Sequence, residues 1–207
     1  MGRSTVALAL VGLALAFGAA ARPVTAAPTG LVRGCGYAHL QRPFLRWLDL
    51  GRYVLVPGGS FENGAAGWML AGGAAVVDGN EPFDLDGSAG THALSLPADS
   101  SATTPPVCVG LLTPTLRFVA ANGGSLLAPL RVEAIVLGPS GPVATVPLLP
   151  VVGSSAWMPT LPLPILVDLT QLPVVTDGTL EVAFRFTAAA GSAWRIDDTY
   201  VDPYQGR

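Results

Sequence analysis

The sequence predicts an all-β domain built as an antiparallel sandwich, and three observations carry that prediction. From Tyr53 onward, apolar residues recur in short alternating runs and not with the helical period. Gly, Asn, Asp and Pro punctuate these runs, supplying the positive or fixed φ that chain reversals need. Finally, Gly58-Gly59-Ser60-Phe61-Glu62-Asn63-Gly64 near the start and Trp194-Arg195-Ile196-Asp197-Asp198-Thr199-Tyr200-Val201 near the end place acids at both limits of the β region. Acids so placed are expected where the first and last strands of a jelly-roll meet and share a cation. The fold class is therefore an antiparallel β-sandwich, a jelly-roll, with an irregular N-terminal arm.

The elements follow in order. Arg3 supplies a short basic start, and Thr5 to Ala21 is an unbroken run of small and apolar residues. Val24-Thr25-Ala26 offers a signal-peptidase site, so residues 1–26 read as an export signal. At 17 residues the run sits at the low edge for a spanning helix, and Pro23 and Pro28 follow it. Residues 27–52 form an irregular arm carrying Tyr37, Phe44 and Trp47, with room for one helical turn over Leu45 to Leu50. The β domain spans 53–207.

Strands are expected at 53–56, 67–70, 74–77, 92–96, 101–104, 107–111, 115–120, 130–137, 143–148, 180–187 and 193–201. Two of them alternate outward charge with inward apolar residues: Leu130-Arg131-Val132-Glu133-Ala134-Ile135-Val136 and Glu181-Val182-Ala183-Phe184-Arg185-Phe186. That is the pattern of a half-buried antiparallel strand. Pro159, Pro162, Pro164 and Pro173 forbid a central strand, so 159–173 is expected to cross one face as an ordered loop, with a helical turn over Leu166 to Leu172. No internal repeat or linker divides the chain.

Composition narrows the partners. The chain has no Lys, and its formal net charge is −3. Removing residues 1–26 takes away Arg3 and Arg22, leaving 9 basic against 14 acidic residues, or about −5. An acidic chain without an Arg cluster argues against nucleic acid and against an anionic membrane surface once the signal is removed. With 50% hydrophobic and 12% charged residues, the domain has either a large core or an apolar patch that meets a partner. In an exported protein, Cys35 and Cys108 are expected to form a disulfide.

Gly-x-Phe61-Glu62, the following Trp68, the Thr91-His92-Ala93-Leu94 strand and the Ile196-Asp197-Asp198 finish together resemble the galactose-binding-like β-jelly-roll superfamily. Family 4/9/22-type carbohydrate-binding modules share this outline. The fuller pattern, including Pro43-Phe44-Leu45, Gly79-Asn80-Glu81-Pro82-Phe83 and Asp202-Pro203-Tyr204, is similar to secreted proteins of high-GC bacteria. The resemblance implies a structural Ca²⁺ where the first and last strands pair, with Glu62 and Asp197 as ligands and a carbonyl near Thr91 as a third. The bland alternative has Glu62 capping backbone amides and Asp197 pairing with an Arg. Asp198 alternates to the opposite side unless a bulge redirects it.

Asp78, Asn80, Glu81, Asp84 and Asp86 form the densest oxygen cluster, but without EF-hand spacing, so a solvated loop is the expectation. For sugar binding the aromatic candidates are Trp68, Trp157, Trp194, Phe83 and Tyr204. Trp68 and Trp194 are expected in the core, which leaves Trp157 as the ligand-binding candidate. An enzyme is not expected: His39 and His92 lack metal spacing, and no Gly-x-Ser-x-Gly elbow occurs. The function expected is a secreted, non-catalytic binding module whose partner is a glycan. The alternative is a structural component of the cell envelope that meets an envelope protein through its apolar surface.

Overall fold

The computed structural model describes residues 35–37, 39–85, 87, 89–110, 114–166 and 179–203. The expected export signal, the first part of the arm, Asp86, the helical turn beyond Leu166, and Tyr204 lie outside the described residues. Among the described residues, no helix is long and apolar enough to cross a membrane.

Two antiparallel sheets face each other. One holds β1 (Val54–Leu55), β3 (Ala75–Asp78), β4 (His92–Pro97), β7 (Thr115–Asn122), β10 (Met158–Pro159), β11 (Leu163–Pro164) and β13 (Ala193–Asp202). Its order is β10-β7-β13-β4-β3, with β1 on β13 and β11 on β7. The other holds β2 (Met69–Ala71), β5 (Ser101–Thr103), β6 (Val107–Gly110), β8 (Leu130–Gly138), β9 (Gly141–Pro147) and β12 (Thr179–Ala188). Its order is β2-β5-β12-β8-β9, with β6 beside the first half of β12. The antiparallel sandwich expected from the alternating runs is the observed architecture.

Alternation builds the core. Leu130, Val132, Ala134 and Val136 of β8 and Leu180, Val182, Phe184, Phe186 and Ala188 of β12 point inward, against Leu116, Phe118 and Ala120 of β7. Phe118 meets Phe186 edge to face at 5.1 Å, and Trp68 stacks on Phe186 at 5.9 Å. Trp68 and Trp194 are buried, as expected. Each still satisfies its indole N–H, Trp68 donating to the Pro57 carbonyl and Trp194 to that of Ala128.

Two differences from the sequence expectation have plain causes. The proline-rich stretch after Trp157 contributes two short pairings, β10 and β11, on the free edge of β7. An edge strand needs amides on one side only, so Pro159 and Pro164 are tolerated there. The turn expected over Leu45 to Leu50 is shorter, a 3₁₀ turn at Leu45–Trp47, and the arm seats Phe44 on the outward face of the seven-stranded sheet. There Phe44 contacts Tyr53 and Tyr200 edge to face, at 5.1 and 5.7 Å, beneath the Arg117 guanidinium at 4.1 Å. Arg117 also forms a buried ion pair with Asp49. Burial pushes the Asp49 carboxyl upward, but hydrogen bonds from Tyr53 and Gly51 and the Arg117 charge outweigh it, leaving the group below its ordinary value.

The disulfide Cys35–Cys108 forms and ties the arm to β6 across 73 residues. Tyr37 reinforces the tie, its hydroxyl donating to the Cys108 carbonyl and accepting from the Cys108 amide. The arm is therefore anchored to one sheet and packed on the other. Phe44→Ala is expected to lower unfolding free energy by about 3–5 kcal/mol in denaturant titrations. Reducing the disulfide is expected to cost about 4 kcal/mol more by releasing the loop it closes.

Candidate functional site

Two places carry chemistry: an acidic cluster at one end of the sandwich and an open groove on the six-stranded sheet.

The acidic cluster depends on a bulge. Asp197 of β13 pairs with Val119, but Tyr200 pairs with Arg117, so β13 contains one extra residue here. Asp198 absorbs it at φ 45°, and both Asp197 and Asp198 are buried. The bulge considered for this strand therefore falls at Asp198. Gly59 lies alongside, accepting from the Thr199 amide while Val56 donates to the Thr199 carbonyl. A Cβ at Gly59 would stand 2.9 Å from that carbonyl, so this close approach of first and last strands requires glycine.

Glu62 commits its carboxylate to the start of β4. One oxygen accepts from the Thr91 and His92 amides at 2.9 and 2.8 Å, and the other from the Thr91 hydroxyl at 3.1 Å. The small burial of Glu62 acts upward on its pKa, but these bonds hold it below the ordinary value. Asp197 is different. It is 1% exposed, accepts from the Asp198 amide at 2.8 Å, and has only a long 3.4 Å contact from the Glu81 amide. Burial, partly offset by those amides and reinforced by the charges of Glu81 and Glu62, pushes its pKa up to about 8.

Among the described residues no Arg pairs with Asp197. The pair expected at the two ends is therefore brought within electrostatic range. Thr91 stands where expected, beside Glu62. Glu81, expected in a solvated loop, is instead buried, its carboxylate accepting from the Phe83 and Leu85 amides. The loop folds over Asp197, and only burial could have revealed that. Asp78 and Asp84 are exposed, as a solvated loop requires.

Among the described residues no group of three or more His, Cys, Asp or Glu is placed to hold a metal. A cation here would draw on carbonyl oxygens as well, which Ca²⁺ accepts. Asp197 fits such an ion. Glu62 would contribute only by sharing oxygens already bonded to amides.

The groove lies on the opposite sheet and has a volume of about 630 Å³. Its floor follows the strand register. Ser101, Thr187 and Arg131 form one row across β5, β12 and β8. Arg185, Glu133 and Pro147 form the next, across β12, β8 and β9. Asp99, Leu148 and Pro150 complete the rim, and no aromatic residue lines it. Arg185 donates through Nε and Nη2 to one oxygen of Glu133, both at 2.8 Å. Of the outward charges of β8 and β12 predicted from alternation, Arg131, Glu133 and Arg185 line this groove, and Glu181 lies outside it, opposite Cys108 of β6.

Trp157, the aromatic candidate, sits elsewhere. It is half-buried just before β10 and packs against the Phe44, Tyr53, Val119 and Tyr200 cluster on the seven-stranded sheet. The exposed apolar residues include Leu126, Leu127, Leu149, Val152, Met158, Leu161 and Leu166.

No protein-family model matches the chain, and no curated protein matches it in sequence. Solved structures do match in shape. The CBM22-1–GH10 modules of Clostridium thermocellum endo-1,4-β-D-xylanase 10B, complexed with xylohexaose, align at TM-score 0.50 and 11% identity over 72% of this chain. A CBM22-1–CBM22-2 tandem from Paenibacillus barcinonensis aligns at TM-score 0.50 and 13% identity over 75% of it. This chain spans 28% and 47% of those two multi-module chains. A single xylan-binding CBM22-1 domain from the same Paenibacillus protein aligns at TM-score 0.48 and 15% identity, covering 76% of this chain and 97% of that one. The fold is the β-sandwich of carbohydrate-binding modules, as the Phe-Glu and Ile-Asp-Asp segments indicated. The matches do not bear on the high-GC bacterial group.

Because the folded protein holds Asp197 protonated well above its unfolded pKa, it binds more protons than the unfolded chain between about pH 4 and 8. Without a bound cation, stability is therefore expected to fall as pH rises through that window. Melting temperatures of chelator-treated protein across pH 4–9 measure this, and Asp197→Asn is expected to flatten the profile.

Proposed function

We propose that the protein is an exported, non-catalytic binding module that takes a glycan chain along the groove of the six-stranded sheet. The carrying observation is the groove itself: an open trough across four strands, with hydroxyls, a guanidinium and an ordered ion pair presented from rigid backbone. Sugars offer many hydroxyls, and such a row of donors and acceptors suits them. The fold shared with a module whose structure contains xylohexaose agrees with this reading. The Cys35–Cys108 disulfide agrees with an oxidising compartment.

A structural Ca²⁺ belongs to the same proposal, with Asp197 and Glu62 as the carboxylates that would hold it. Its support is the buried Asp197 facing two other carboxylates with no cationic partner. Such an ion would neutralise that charge and clamp the first strand to the last.

A second reading has its own observation. Leu149, Val152, Met158, Leu161 and Leu166 are exposed apolar residues after β9. They favour an envelope component that meets a protein.

Polysaccharide pull-down with calcium present separates the readings. Retention on at least one glycan, weakened at least tenfold by Thr187→Leu (about 1.4 kcal/mol), is expected. Retention lost instead in Trp157→Ala would move the site to the other sheet, and failure on all glycans would favour the protein-binding reading. For the cation, EDTA is expected to lower the melting temperature and Ca²⁺ to restore it. An unchanged transition, or one equally sensitive in Glu62→Ala/Asp197→Ala, would remove the ion.

A further inference from the structure

We infer that the glycan taken by this groove is acidic, and that the Arg131 guanidinium receives a uronate carboxylate of the chain. The inference rests on the groove reading above and adds the charge class of its ligand.

The lining comes first. A neutral pyranose is usually gripped through its apolar face by an aromatic ring, and this groove has none. Recognition must then come from polar and charged groups. Of the four charged residues on the lining, Arg185 and Glu133 neutralise each other through their ion pair. That leaves Arg131 and Asp99.

Arg131 is exposed on β8, and among the described residues no carboxylate pairs with it. Its guanidinium presents a planar fork of donors that matches a carboxylate bidentately. A Lys-free chain of net charge −3 thus leaves an Arg in this groove with no carboxylate partner among the described residues.

Asp99 does not cancel this. It lies in the β4–β5 turn, its amide donating to the Ala188 carbonyl, on the β5 side of the groove. Arg131 is on β8, two strands away, or about 10 Å at the usual strand spacing. Among the described residues no ion pair joins the two side chains. Glu133 is nearer but already occupied. Ser101 and Thr187 share a row with Arg131, so hydroxyls flank the guanidinium along one line across the sheet. A sugar carrying both hydroxyls and a carboxylate satisfies the row. A neutral sugar leaves the cation unused.

The test is calorimetric titration with oligogalacturonate, oligoglucuronoxylan and oligomannuronate, each beside its carboxyl-reduced counterpart of the same length and linkage. At least one acidic chain is expected to bind tenfold or more tighter than its reduced form, with affinity falling as salt rises. Arg131→Gln is expected to abolish that preference without moving the melting temperature, and Arg131→Lys to keep part of it. Equal affinity for an acidic chain and its reduced form, still lost in Thr187→Leu, would overturn the acidic inference and leave the groove reading standing. A preference that survives Arg131→Gln would overturn the role of Arg131. Binding of none of the six chains, nor of any neutral glycan, would overturn both readings.

Discussion

The last strand, β13, pairs with β7 along most of its length, with β4 at its start and with β1 at its end, and it carries one residue more than β7 opposite it. Strict alternation would send Trp194, Ile196, Asp198 and Tyr200 to the same face. The bulge at Asp198 breaks the phase, so Trp194, Ile196 and Val201 reach the core while Tyr200 turns outward. One inserted residue therefore supplies the central ring of the outer aromatic cluster. Asp197, just before it, faces outward by alternation from Ile196 and lies under the loop that carries Glu81. A side-chain period of two makes every such slip consequential.

The two outward faces of the sandwich consequently have different fates. On the seven-stranded sheet, Tyr200, Val119 and Arg117 are sealed beneath the arm by Phe44, Tyr53 and Asp49. A guanidinium buried over a ring is stable only with a charge partner, and Asp49 provides it. Burial and the Asp49 bond accordingly push the Tyr53 hydroxyl far above its ordinary pKa. Among the described residues the six-stranded sheet has no such cover: the arm reaches β6 through Cys35–Cys108, and the groove lies open over β5, β12, β8 and β9.

Charge is scarce, and several charged side chains have a legible assignment. Asp49 neutralises Arg117, and Glu133 orients Arg185. Glu62 organises the start of β4, and Glu81 caps the turn after it. Among the described residues Asp197, like Glu81, is buried without a cationic partner, and Arg131 stands in the groove without a carboxylate. The apolar exposure on Leu127, Leu149 and Leu161 belongs to loops and edges. Single exposed leucines are common on soluble surfaces, and contiguity would give them meaning.

Much of this was legible in the residues because it depends on local pattern. Period-two alternation marks β8 and β12, and three of the four charges predicted to face outward there, Arg131, Glu133 and Arg185, line the groove. The pairing of Cys35 with Cys108 and the burial of Trp68 and Trp194 likewise follow from compartment and from residue size. Proline indicated an absence of central strands after Trp157, but its geometry allows the edge pairings that occur. Other features have no local signature. Glu81 is buried because a distant strand lies beneath its loop. Trp157 packs against an arm more than a hundred residues earlier in the chain. Arg131 and Asp99 share a groove because β5, β12 and β8 align. The sequence by itself determined the strands, their faces and the sandwich. Tertiary structure alone decided which face is sealed and which acids are buried, because those outcomes depend on where distant segments come to rest.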